Sequence, residues 1–151
     1  MANTQAMCTS FKGELLVGHH NFGTGVTRGS TAADTFKAAL YLASATVNAS
    51  TTAFSATNEV SGTGYTTGGV TVTFGTAPST SGTTAFVTPS ASIAFTSVTL
   101  STAFDAVLIY NNTQSNKAVS VHTFGSQTVT AGTFTLTMPV NDASTGLIRL
   151  A

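Results

Sequence analysis

From Phe36 onward apolar side chains recur at every second position, and turn-forming residues interrupt them at intervals of about ten residues. That period of two is the tightest constraint on the chain. Successive side chains of a strand point to opposite faces, whereas one face of a helix recurs every three to four residues. Phe36, Ala38, Leu40 and Leu42 alternate with Lys37, Ala39 and Tyr41, the pattern of a strand with one face toward a core. The alanines and leucines there also suit a helix, which is the competing reading. Val70, Val72 and Phe74 alternate with Thr71 and Thr73, where β-branched Thr suits a pleated surface.

A turn over 75–82 contains Pro78, and a strand over 85–88 stops at Pro89. Ile93 and Phe95 share one phase while Val98 and Leu100 share the other, so a bulge or bend lies between them. Such a bend would let one strand cross between two sheets. Phe104, Ala106, Leu108 and Tyr110 alternate with Asp105, Val107 and Ile109, a strand apolar on nearly both sides and therefore central. Asn111 and Asn112 make the next turn. Strands over 118–124, 128–130, 133–138 and 147–150 follow, divided by Gly125, Gly132, Pro139 and the polar stretch 141–146. The fold class is all-β, an antiparallel β-sandwich or barrel. Residues 46–69 are a Ser, Thr, Asn and Gly-rich loop with room for an edge strand near 53–55, and loops of that length usually carry function or an interface.

Before residue 30 the period differs. Met7, Phe11 and Leu15 recur every four residues, Asn3 or Thr4 can cap, and Gly18 can terminate, which predicts a short amphipathic helix over 5–17. The segment 19–25, with His19, His20 and two glycines, is irregular. The chain accordingly divides into an N-terminal helix and arm, 1–30, and a β-sandwich domain, 31–151. Met7, Phe11 and Leu15 form one stripe that can pack on its own domain or on a neighbouring subunit, since exchange of such arms links protomers.

Composition then restricts function. Only 7% of the 151 residues are charged, five basic against five acidic, where about a quarter is usual. Solubility normally leans on charge spread over the exterior. A neutral surface of hydroxyls and methyls therefore implies that copies of the chain or another protein cover much of it. Lys12, Arg28, Lys37, Lys117 and Arg149 are scattered, which argues against nucleic acid. No apolar run approaches the roughly 18 residues of a membrane span. The first ten residues lack the basic and apolar regions of a secretory signal. Cys8 is the single cysteine, so no intrachain disulfide forms, in keeping with a reducing compartment.

Several segments resemble small β-rich structural proteins of tailed bacteriophages. The resemblance lies in Phe36-Lys37-Ala38-Ala39-Leu40-Tyr41, Asn58-Glu59-Val60-Ser61-Gly62-Thr63-Gly64-Tyr65 and Val70-Thr71-Val72-Thr73-Phe74. It continues through Ala106-Val107-Leu108-Ile109-Tyr110 and Gly132-Thr133-Phe134-Thr135-Leu136-Thr137-Met138-Pro139, and Ser10-Phe11-Lys12-Gly13-Glu14-Leu15-Leu16 belongs with them. It covers most of the chain and consists of strands and turns, with no functional site to carry over. It implies a virion protein assembled in the host cytoplasm: a head decoration protein, or a tail or fibre component.

The glycines of 61–65 can turn the chain or allow close backbone approach, delivering Tyr65 to a neighbouring surface. Tyr65 thus joins Met7, Phe11 and Leu15 as candidates for an assembly interface. The motif is not a dinucleotide fingerprint, because Thr67 stands where its third glycine would be. A Ser-His-Asp set drawn from His122, Asp105 or Asp142 and one of many serines carries little information, and His122 reads as a satisfied strand histidine. His19 and His20 have no acidic or Cys neighbour at ligand spacing, so a hydrogen bond is the simpler reading than a metal. Glu14 and Glu59 stand as isolated acids. No catalytic residue, cofactor or metal is expected. The expectation is a noncatalytic decoration or cement subunit that forms a homo-oligomer or contacts the major capsid protein or another virion protein. The alternatives are a tail or fibre component, or a glycan-binding module presenting Tyr65, Tyr110 and loop Asn residues.

Overall fold

A computed structural model describes residues 3–8, 11, 15, 19–20, 22–23, 33–82 and 84–151. All eight named elements are strands: β1 (Ala6–Met7), β2 (Phe36–Leu42), β3 (Val70–Val72), β4 (Ser79–Ser81), β5 (Thr84–Val87), β6 (Ile93–Asn111), β7 (Lys117–Leu136) and β8 (Ile148–Leu150). They build two antiparallel sheets, one of five strands in the order β1-β7-β6-β2-β3 and one of three in the order β4-β5-β8. The chain is therefore all-β, and two such sheets are consistent with a sandwich.

The alternating segment at Phe36 is a strand, not a helix. Phe36 pairs with Asn111 and Val72, and Leu40 with Val107, so β2 is held on both sides. β6 is central as its apolar pattern required, with Ala106, Val107, Leu108, Ile109 and Tyr110 all buried. Antiparallel partners share a face, which puts Phe36 and Val72 on one side of the sheet and Tyr41 and Ala106 on the other. Against the first face Phe22 stacks on Phe36 at 4.8 Å and meets Phe74 edge-on at 5.0 Å. On the second, Phe54 of the loop over 46–69 stacks on Tyr110 at 4.8 Å. Segments outside the regular strands thus close both faces of the large sheet.

Four expectations are corrected. Ala6 and Met7, placed in a helix by the spacing to Phe11 and Leu15, form a strand paired with Val121 and Ser120. Pairing with an existing strand gives these residues backbone partners, while an isolated helix of this length is marginal. Phe11 and Leu15 keep helical backbone, Gln5 and Cys8 do not, and 9–10, 12–14 and 16–17 of the expected helix lie outside the described residues. Next, 118–124, 128–130 and 133–136 are one strand of 20 residues rather than three. Gly125 and Gly132 do not end it, because register shifts against β6 absorb the irregularities. The phase change between Phe95 and Val98 is a bulge as expected, with Ser97 at φ 54°, but β6 stays in one sheet and does not cross to the other. Finally, the expected turn over 75–82 contains β4, paired with β5 through Ser79 and Phe86.

Candidate functional site

The four residues singled out for assembly occupy different environments. Met7 is half-buried on β1, directly across from Ser120. Phe11 is fully buried, its ring 4.7 Å from His20 and 5.8 Å from Phe22. Leu15 packs beside it and, with Phe22, Phe86, Val87, Ile148 and Leu150, lines a small apolar cavity of about 80 Å³ between the N-terminal segment and the three-stranded sheet. Tyr65 is half-buried, stacked on Phe95 with ring centroids 5.8 Å apart. In this chain Phe11 therefore offers no surface. Tyr110, expected among the glycan contacts, is also buried.

Tyr65 reaches its place through the glycines that precede it. A Cβ on Gly62 would strike the Thr99 carbonyl, and Gly64 has φ +78° with Ser97 pressed against it. The loop consequently lies flat on β6, where Thr63 and Thr99 form a bridge. Tyr65 then donates from its hydroxyl to Glu59 Oε1 at 2.8 Å and accepts from the Leu40 amide at 3.0 Å. The same Glu59 oxygen accepts from the Gly68 amide at 2.8 Å, and the Gly68 carbonyl accepts from the Tyr110 hydroxyl. Burial raises the Glu59 pKa, and the bonds from Tyr65 and Gly68 together with Lys37 pull it partly back. Glu59 is thus the buried anchor of a loop, which sequence reasoning missed. The available signal was an acid and a Tyr six residues apart across a glycine turn.

A second polar cluster closes the other end of β6. Asn111 Nδ2 donates to Asp34 Oδ2 at 2.8 Å and lies 3.1 Å from His20 Nδ1, while Gln114 Nε2 donates to Asp34 Oδ1. His20, Asp34 and Asn111 are all buried. They tie the segments before β2 to the turn between β6 and β7. The hydrogen bond of His20 is thus to a distant side chain, Asn111, rather than at a helix exit, and His19 Nδ1 is buried without a partner among the described residues. Asn3 donates to Asp105 and to the Leu42 carbonyl, and so ties the residues before β1 to β6 and to the end of β2.

His122 Nε2 lies 2.9 Å from Ser120 Oγ. Desolvation lowers the His122 pKa to about 4, so the ring is neutral at pH 7. Ser120 is itself buried, which gives a substrate no access to its hydroxyl. Among the described residues no group of three His, Cys, Asp or Glu is arranged to hold a metal. No helix of the described residues is long and apolar enough to cross a membrane.

The outer surface has a distinct chemistry. Every exposed residue of β6 and β7 is Ala, Ser, Thr, Gly or Gln. These two strands, of 19 and 20 residues, form a long two-stranded ribbon that extends beyond the end of β2. Phe134, in register with Phe95, packs edge-on against Phe104 at 5.0 Å and tilted against Phe124 at 5.0 Å, so the outer part of the ribbon curls back, through its bulges, over the part that borders β2. The arrangement presents ordered rows of hydroxyls and methyls. Comparison with protein-family models, with curated proteins and with solved structures finds no match for this chain.

Proposed function

We propose that this chain is a noncatalytic structural subunit of a bacteriophage virion, with its two sheets forming a sandwich that sits on the outside of the capsid as a decoration or cement protein. The observation that carries the reading is the uncharged exposed face of β6 and β7. A surface of Thr, Ser, Ala and Gly can be covered by another protein without stripping water from ions, which is costly unless each ion finds a partner. Three of the buried polar side chains, Glu59, Asp34 and Asn111, hold loops to the sheet. That is the work of a scaffold. Resemblance of the segments around Phe36, Tyr65 and Phe134 to phage proteins directs the reading to a virion.

In this role the subunit stabilises the shell by many modest contacts repeated over many copies, with the major capsid protein as partner. Gold labelling of intact particles with antibody to this chain tests it. Label over the head is expected. Label on the tail alone would replace the capsid assignment by a tail or fibre role, and particles without label would remove the virion reading.

A further inference from the structure

β7 has an open edge. β1 covers its outer side only at Val121 and Ser120, with the Cys8 amide donating to the Val119 carbonyl. From residue 123 to 136, among the described residues, no strand pairs with that side. Alternate N–H and C=O groups of an edge strand point outward and remain available for pairing.

Natural edges are normally guarded by Lys or other charges, by Pro or by bulges. No Asp, Glu, Lys, Arg or Pro occurs between Lys117 and Pro139. The bulge is present: β7 advances from Val129 to Gly132 while β6 moves only from Leu100 to Val98, and Ala131 has φ 46°. It interrupts the edge at 130–131 and leaves 132–136 beyond it as a run with no extra residue of its own, the next bulge, between Phe95 and Val98, lying on β6. Within that run Thr133 and Thr135 are exposed, while Phe134 and Leu136 are half-buried on the core side. The packing of Phe134 against Phe95, Phe104 and Phe124 holds the run in extended form before any partner arrives. Just past it, Val140 is 71% exposed.

We propose that residues 132–136 are a strand-pairing site for a second copy of this chain, the two edges joining antiparallel about a two-fold axis into one continuous sheet. A two-fold contact sets each edge against itself, so any charge near its centre would meet a like charge; the neutrality of this run removes that penalty. Centred on Phe134, the pairing sets Thr133 of one copy against Thr135 of the other, a favourable cross-strand combination. Five paired residues bury less than the ~1,000 Å² of a stable dimer. Association in dilute solution is therefore weak, and neighbouring seats on a larger assembly would strengthen it through a local concentration in the mM range. The inference deepens the reading of the chain as an assembly subunit by naming the partner and the surface.

Sedimentation velocity on the full chain, from ~1 μM to ~1 mM, tests it. Wild type should pass from monomer to dimer. Thr133→Lys with Thr135→Lys in one chain should weaken dimerisation at least ~10-fold, Thr133→Glu with Thr135→Glu likewise, and an equimolar mixture of the two should restore it. Hydrogen exchange on wild type adds a readout free of mutation, with amides of 132–136 gaining protection as dimer forms. Wild type that stays monomeric would overturn the proposal, and so would a lysine variant that dimerises as well as wild type. Protection that appears elsewhere and leaves 132–136 unchanged would overturn it too. Loss of particle labelling with dimerisation intact would remove the virion reading and leave this one standing.

Discussion

Glu59 and His122 are titratable groups that burial has displaced in opposite senses for stability. Desolvation raises the Glu59 pKa above 4.5, so the folded state holds its proton more tightly than the unfolded chain. The stability from this group is full below about pH 4.5 and is lost as pH rises through the folded value. Glu59→Gln keeps an acceptor for Tyr65 and Gly68 without the charge. Urea titrations across pH 4 to 8 should show that this variant lacks the decline that wild type owes to Glu59. Glu59→Ala, which leaves the Tyr65 hydroxyl and the Gly68 amide without their acceptor, should cost about 2–3 kcal/mol. His122 behaves the other way. Its pKa falls from 6.5 to about 4, so its contribution is complete above pH 6.5 and disappears as pH drops toward 4. The full displacement is worth on the order of 3 kcal/mol. His122→Gln should flatten that acid limb, and thermal melts at pH 4 and pH 7 would reveal it. Both effects were hidden in the sequence, where Glu59 reads as an isolated acid and His122 as one strand residue among many. Desolvation depends on what covers a side chain.

Among elements, the long ribbon and the loop laid on it matter most. β6 and β7 were legible as apolar alternation, yet their lengths were not, because Gly125 and Gly132 look like strand ends. In the folded chain a glycine within a strand becomes a bulge when the partner strand supplies enough pairing on either side. The loop over 61–65 was legible as a turn. What it touches was not. Gly64 combines φ +78° with a Cβ position blocked by the Ser97 carbonyl, so Gly64→Ala meets both backbone strain and a clash that Ser97 cannot relieve by moving a side chain. A loss of at least ~2 kcal/mol is expected in chemical denaturation. The difference in tyrosine fluorescence between this variant and its Tyr65→Phe counterpart should report the loop lifting from Phe95. A Gly82→Ala control, at φ +56° with no atom near its Cβ, carries the strain alone and should cost about 1 kcal/mol.

At the scale of the whole molecule, pairings that close long loops dominate. Ala6 pairs with Val121, and Val87 pairs with Ile148. Loop-closure entropy must be overcome before such contacts form, and all-β domains built this way fold in about milliseconds to seconds rather than microseconds. Stopped-flow refolding should give rates in that slower range. Near-zero net charge and a pI of about 6.8 leave little long-range repulsion between copies. Self-association should therefore change little between low and high salt, in contrast to an interface built on ion pairs. Sedimentation at ~0.05 M and ~0.5 M salt checks this directly.

The sequence by itself determined that the alternating segments at Val70, Phe104 and beyond would be strands, that the strand around Ala106 to Tyr110 would be central, and that the exterior would carry few ions. Periodicity and composition are local properties, and they survive without knowing any partner. Tertiary structure alone decided that Ala6 and Met7 join a sheet, that three apparent strands are one, and that Glu59, Asp34 and Asn111 anchor loops. It also decided that β7 keeps an uncovered edge. Each of these depends on which backbone lies alongside and how much water it excludes, and residues far apart in the chain set both.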